Sequence, residues 1–130
     1  MDEQRSRIMR AVKSRNTRPE MTVRRLVHSM GYRYRLHRKD LPGKPDLAFI
    51  SRRKAIFVHG CFWHGHDCPR GSREPKTNRD YWIPKIAKTR KRDKATMERL
   101  WKMDWKTLVI WECETKDAVQ LRKRIQAYLT

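Results

Sequence analysis

The apolar and polar positions of this chain alternate between helical and strand periods, and no linker-like stretch is long enough to divide it. From Arg5 to Val12, Ile8, Met9 and Val12 recur at helical spacing in a strongly basic frame, which predicts a short helix. A clearer start follows at Thr17. There TRPE supplies a threonine N-cap, Pro19 in the first turn and Glu20 as the reciprocal capping-box residue. Val23, Leu26, Val27 and Met30 continue the apolar stripe, and Gly31 closes the helix. Tyr32 to Leu36 then alternates aromatic or apolar residues with arginine, the period of a half-buried strand. LPGKP predicts a turn. Asp46 to Ile50 and Ala55 to His59 are short apolar runs separated by SRRK, which predicts a hairpin.

After a polar stretch from Pro69 to Asn78, a long helical pattern runs to about Met103. Its apolar positions include Ile83, Ile86, Met97, Leu100 and Trp101, with Pro84 in the first turn or at a kink and the KTRKRDK run free to face solvent or phosphate. WKTLVIWE, from Trp105 to Glu112, is the strongest strand pattern; it predicts Leu108, Val109 and Ile110 buried on both faces and ends at Cys113. A final helix is expected over Lys116 to Leu129. The order α, α, β, β, β, loop, α, β, α predicts an α/β fold, a mixed sheet flanked by helices. Residues 1–130 are expected to form a single domain with room for one core.

Charge narrows the partner. The 33 Lys and Arg against 14 Asp and Glu give a formal net charge of +19, spread from Arg5 to Arg124 rather than confined to a tail. That excess points to a polyanion; without a long apolar run to span a bilayer, nucleic acid is the expected partner and a membrane is not. MDEQRSRIMR has no apolar stretch of the signal-peptide kind, so a reducing, cytoplasmic compartment is expected.

The densest chemistry lies between His59 and Cys68, where HGCFWHGHDC packs three of the five histidines and two of the three cysteines around Phe62 and Trp63. Thiolate and imidazole are zinc ligands, and Cys61, His66 and Cys68 can reach one ion from a single loop. A Cys61–Cys68 disulfide would leave the interleaved histidines and Cys113 unexplained. The fourth ligand is either Cys113, the remaining cysteine, or His64, and spacing does not separate them. With Cys113 as ligand, His59 and His64 are free for proton transfer. Asp46, behind Pro45 at the start of a buried strand, can be a hard oxygen ligand for Mg²⁺ or a turn-capping residue. For Glu20 the capping box is a sufficient explanation. Phe62 and Trp63 suit insertion between bases or packing over the metal loop.

Taken together and in order, SRIMRAV, TRPE, LPGKPDLAF, IFVHGCFWHGHDC, the Tyr81-Trp82 pair and VIWEC resemble the very-short-patch repair endonucleases over essentially the whole chain, from about Ser6 to Leu129. The resemblance implies a restriction-endonuclease-like fold. It also implies a Mg²⁺-dependent enzyme that nicks DNA 5′ to the thymine of a T:G mismatch left by 5-methylcytosine deamination. By the same resemblance Asp46 binds Mg²⁺ together with the backbone carbonyl of Val58, His64 is the base acting on water, and His59 and Glu20 support the reacting phosphate. Zn²⁺ is structural, on Cys61, His66, Cys68 and Cys113. Phe62, Trp63 and Trp82 wedge into the duplex from one groove and Met9 approaches from the other, while Asp93 matches an acidic position one step removed from the reacting groups. The implied protein is a monomer in the bacterial cytoplasm, with mismatched double-stranded DNA and general mismatch-repair proteins as partners.

The chain departs from the pattern at Val58, where threonine is expected, and at Gly65, which interrupts a run of histidines. It lacks the acidic-x-Lys element common in nucleases of this fold, Val58-His59-Gly60 standing there instead. Two rival functions are a restriction-type endonuclease that needs no mismatch and a non-catalytic zinc-dependent DNA-binding module.

Overall fold

The computed structural model describes residues 17–61, His64, His66, Cys68 and residues 79–130; the expected helix around Met9, and the aromatics Phe62 and Trp63, lie outside the described residues. Helix α1 (Arg18–Ser29) starts as its sequence predicts, with the Thr17 hydroxyl accepting the Glu20 N–H. It ends in a Schellman arrangement: Gly31, at φ 85°, gives its N–H to the His28 carbonyl and Tyr32 gives its N–H to that of Val27.

Four strands follow, β1 (Arg35–Leu36), β2 (Leu47–Phe49), β3 (Lys54–His59) and β4 (Lys106–Trp111), in the spatial order β1-β2-β3-β4. The first three are antiparallel neighbours and β4 is parallel to β3, so the sheet is mixed, as the alternation of elements predicts. β1 is shorter than its alternating pattern because it is an edge strand, although Tyr32 and Tyr34 still pack on the core. β2 gives way at Ile50 to a 3-10 turn, and Arg53, at φ 53°, turns the chain into β3. The parallel pair needs a crossover, supplied by helix α2 (Arg79–Lys102). Helix α3 (Ala118–Leu129) closes the chain, capped by the Asp117 carboxylate on the Gln120 N–H.

The strand period assigns the two faces. Leu47, Phe49, Ile56 and Ile110 meet Val23 and Val27 of α1 and Leu121, Ile125 and Leu129 of α3. Ala48, Ala55 and Phe57 meet Leu100 and Met97 of α2, with Leu41 and Trp105. Two expectations need correcting. Leu108 and Val109 are only partly buried because β4 is the other edge of the sheet. Trp101 is 75% exposed, since Leu100 faces the sheet and the next residue is rotated about 100° around the helix. Among the described residues no helix is long and apolar enough to cross a membrane.

The LPGKP turn is pinned against α2. Gly43 has φ 73°, and a Cβ there would stand 2.3 Å from Thr96 Cγ2 and 3.3 Å from Phe57 Cε1. Both the backbone conformation and the contact exclude a side chain, so Gly43→Ala is expected to cost about 2–3 kcal/mol in urea unfolding. Thr96→Ala in the same background should recover part of that loss by removing the clashing methyl.

Candidate active site and metal centre

Parallel strands leave a sheet in the same direction, and here both run straight into candidate ligand residues. His59 pairs with Trp111 at the last rung, so Cys61 and Cys113 each stand two residues beyond a paired position. The Cys113 N–H donates to Cys61 Sγ at 3.4 Å. The loop returns His66 and Cys68 to the same place, with Cys113 Sγ 3.6 Å from His66 Nδ1. One ligand atom from each of Cys61, His66, Cys68 and Cys113 lies within 4.8 Å of the other three. Cys61, Cys68 and Cys113 form no disulfide with one another. Burial, aided by the neighbouring Cys113 and Cys68 thiols, pushes the Cys61 thiol up to about 12 against the opposing Cys113 N–H, and burial likewise raises Cys113.

His64 groups elsewhere. Its ring stacks on His59 with centroids 3.8 Å apart and 4° between planes, and its Nδ1 lies 2.6 Å from Asp93 Oδ2. Asp93 reaches this position because it shares a face of α2 with Met97 and Leu100, one and two turns further on. His59 is 6% exposed, and burial, then the neighbouring His64, depress it to about 4 against the pull of Asp93. It is therefore neutral at neutral pH. Trp111 joins the two clusters, stacked on His66 at 4.1 Å and edge-on to His59 at 5.2 Å.

A third group gathers at the start of β2. Asp46 Oδ2 accepts the Val58 N–H at 2.7 Å, which places this carboxylate one residue from His59. Glu20, 3% exposed, turns its carboxylate to His37, with Oε2 3.0 Å from Nε2; the capping box is thus not a sufficient account of that side chain. His37 Nε2 is also 3.8 Å from Asp46 Oδ1. Sequence reasoning missed His37, which carries no periodic or motif signal; it is brought in because Leu36 pairs with Leu47, which sets the next residue across from Asp46. Trp82 lies in the first turn of α2, edge-on to Tyr81 at 4.7 Å, beside Lys85. Lys88, Arg90, Lys91, Arg92 and Lys94 are exposed along the same helix.

A mixed sheet with helices on both faces, a Cys/His cluster at the ends of its parallel strands and a carboxylate–imidazole cluster beside it defines an α/β class in which candidate metal ligands and titratable groups share one edge. The chain belongs to the DNA mismatch endonuclease Vsr family, whose model matches residues 1–70, and that family implies the restriction-endonuclease-like fold. It is 52% identical over 127 residues to the type II nicking enzyme V.XorIIP of Xanthomonas oryzae pv. oryzae, covering 98% of this chain and 93% of the relative. It is 40% identical over 121 residues to the type II nicking enzyme V.NmeAIP of Neisseria meningitidis, covering 93% and 86%. To the DNA mismatch endonuclease Vsr of Escherichia coli it is 37% identical over 117 residues, covering 90% and 74%.

Burial, then Glu20, raise Asp46 from 3.8 to about 6, against the Val58 N–H and His37. In the unfolded chain this carboxyl loses its proton near pH 4 and in the fold only near 6, so the unfolded state binds fewer protons between those values and stability falls as pH rises through them. The deficit is then constant, about 3 kcal/mol at about 1.4 kcal/mol per pH unit. Without added divalent cation, Asp46→Asn is expected to be more stable than the parent by about 2–3 kcal/mol above pH 7, the two converging toward pH 4 in urea titrations.

Proposed function

We propose that this protein is a Mg²⁺-dependent endonuclease that nicks one DNA strand 5′ to the thymine of a T:G mismatch. The observation that carries the reading is the adjacency of carboxylate and imidazole at one end of the sheet: Asp46 is bonded to Val58, the next residue is His59, and His59 stacks on His64, which Asp93 holds. The names of the relatives, nicking enzymes and a mismatch endonuclease, supply the substrate class.

Asp46 and the Val58 backbone carbonyl would hold the cation. The donors fit one: a carboxylate whose burial and acidic neighbour already oppose its ionisation gains from a positive charge beside it. When bound, the cation neutralises charge developing on the phosphate. His64 takes the proton of the attacking water at Nε2, because Nδ1 carries the hydrogen given to Asp93, and that carboxylate then stabilises the imidazolium. His59 stays neutral, so the stacked pair carries one charge rather than two. Glu20 supports the surroundings of the phosphate.

Cys61, His66, Cys68 and Cys113 would hold Zn²⁺ as a closed four-ligand site, structural because it leaves no position for substrate. The donor set fits: soft thiolates with one imidazole, and a backbone N–H on Cys61 Sγ of the kind that orients a thiolate. The exposed cations of α2 would grip phosphates, and Phe62, Trp63, Trp82 and Met9 would open the duplex at the mismatch. The same reading makes the chain one domain acting as a monomer in the bacterial cytoplasm, alongside general mismatch-repair proteins.

Two measurements test this reading. Elemental analysis should find about one zinc per chain in the parent protein, while Cys113→Ala should lose the metal and the cooperative thermal transition together, since a structural ion contributes folding free energy directly. Full zinc in a folded Cys113→Ala protein would remove Cys113 from the ligand set. In Mg²⁺, the parent should nick a T:G duplex and leave the matched duplex intact, and Asp46→Ala should lose about 10³-fold in rate or more with mismatch binding nearly unchanged. Equal cleavage of both duplexes would favour a restriction-type enzyme; binding with no cleavage at any Mg²⁺ concentration would favour a non-catalytic module.

A further inference from the structure

Among the residues around Asp46, His37 has no part in the function just proposed, yet it is held there at a cost. Its φ of 47° is in the left-handed region, where a side chain with a Cβ is strained. The backbone is fixed by the His37 N–H on the Asp46 carbonyl at 3.3 Å. The ring is thereby aimed at two carboxylates, with Nε2 3.0 Å from Glu20 Oε2 and 3.8 Å from Asp46 Oδ1.

The manner of that approach is informative. Although Oε2 is close, the buried Nε2 has no partner in hydrogen-bond geometry, so the two atoms do not share a proton along the line between them. They converge instead, together with Asp46, so that the three ligand atoms lie within 4.8 Å of one another. Two ligands about 2.1 Å from one cation and at right angles to each other stand about 3 Å apart, which is the separation of Nε2 and Oε2. Asp46 Oδ2 is occupied by the Val58 N–H, and the oxygen left over, Oδ1, is the one that faces His37.

We infer that Glu20, His37 and Asp46 form a three-ligand cation site in which His37 Nε2 coordinates directly, and that this nitrogen biases the site toward a borderline cation such as Mn²⁺ over Mg²⁺. Mg²⁺ favours oxygen ligands and gives up water reluctantly, whereas imidazole suits first-row transition ions. The competing account is an ion pair alone, with Glu20 Oε2 shared between His37 Nε2 at 3.0 Å and Arg24 Nη1 at 3.5 Å; it leaves the buried Nε2 without an acceptor in hydrogen-bond geometry, which a bound cation would satisfy. The inference rests on Asp46 being a cation ligand, and the test separates the two claims.

The full chain with its zinc in place, without DNA, is titrated with MnCl₂ and followed by electron paramagnetic resonance. The parent should bind one Mn²⁺ whose pulsed spectrum carries the modulation of a directly bound nitrogen. His37→Asn suits the left-handed backbone, and His37→Gln is the second variant should the first fail to fold; zinc content and circular dichroism report folding. Either folded variant should lose the nitrogen modulation and at least tenfold in Mn²⁺ affinity, while Mg²⁺ affinity, measured by competition, changes less than threefold. His64→Ala should keep the modulation, which excludes the His59–His64–Asp93 cluster as its source. Loss of binding in Asp46→Asn together with unchanged Mn²⁺ affinity or persistent nitrogen modulation in the His37 variants would overturn the inference alone. Unchanged binding in Asp46→Asn would overturn the placement of the cation on Asp46 and this inference with it.

Discussion

The parallel pairing of β3 with β4, in register from Lys54–Lys106 to His59–Trp111, is the constraint on which the rest of the site depends. Two strands running in one direction discharge their chains at the same edge, which is why cysteines far apart in sequence become neighbours there. A slip of β4 by one residue would send Trp111 to the face opposite His59 and separate the imidazole stack from the Cys/His cluster. The same pairing requires a crossover on one face of the sheet. Helix α2 meets that requirement, and Asp93 arrives at His64 as a consequence.

The two faces of the sheet are built differently. The face under α1 and α3 is filled with Leu47, Phe49, Ile56 and Ile110 and carries the larger apolar cluster. On the other face Ala48 and Ala55 keep the surface low, which lets α2 and the Gly43 turn approach closely. Those small side chains are what bring the helix near enough for Asp93 to touch a histidine that begins on a loop. Packing thus sets the geometry of the His64–Asp93 pair, and Trp111 links it to the Cys/His cluster by touching His59 and His66 at once.

Stability is given up at this edge. Asp46 and Glu20 are acidic groups withdrawn from water side by side, His59 is a buried imidazole depressed to about 4, and His37 adopts a left-handed backbone. Each of these is unfavourable on its own, and they persist because the sheet and α1 over-determine the positions of the atoms. A fold optimised for stability alone would not concentrate them in one place.

Most elements were legible in the sequence because local signals specify them: the TRPE start and Gly31 stop of α1, the alternation that gives way at SRRK, and the long apolar run ending at Cys113. Composition indicated a polyanionic partner, and the density of thiol and imidazole from His59 to Cys68 marked the candidate metal site, since ligands within one loop need no tertiary information to meet. Asp93 was within reach of the pattern, at helical spacing from Met97 and Leu100. Other features needed the fold. Spacing does not separate Cys113, the obvious candidate for a fourth ligand, from its competitor His64, whereas strand register puts one among the thiols and the other on His59. Periodicity placed Trp101 with the apolar residues of its helix, but only the angle at which α2 meets the sheet decides that it is exposed. Glu20 had a complete local explanation, and His37 had no local signal at all; both enter the site because antiparallel pairing and helix docking join positions that chain neighbours cannot report.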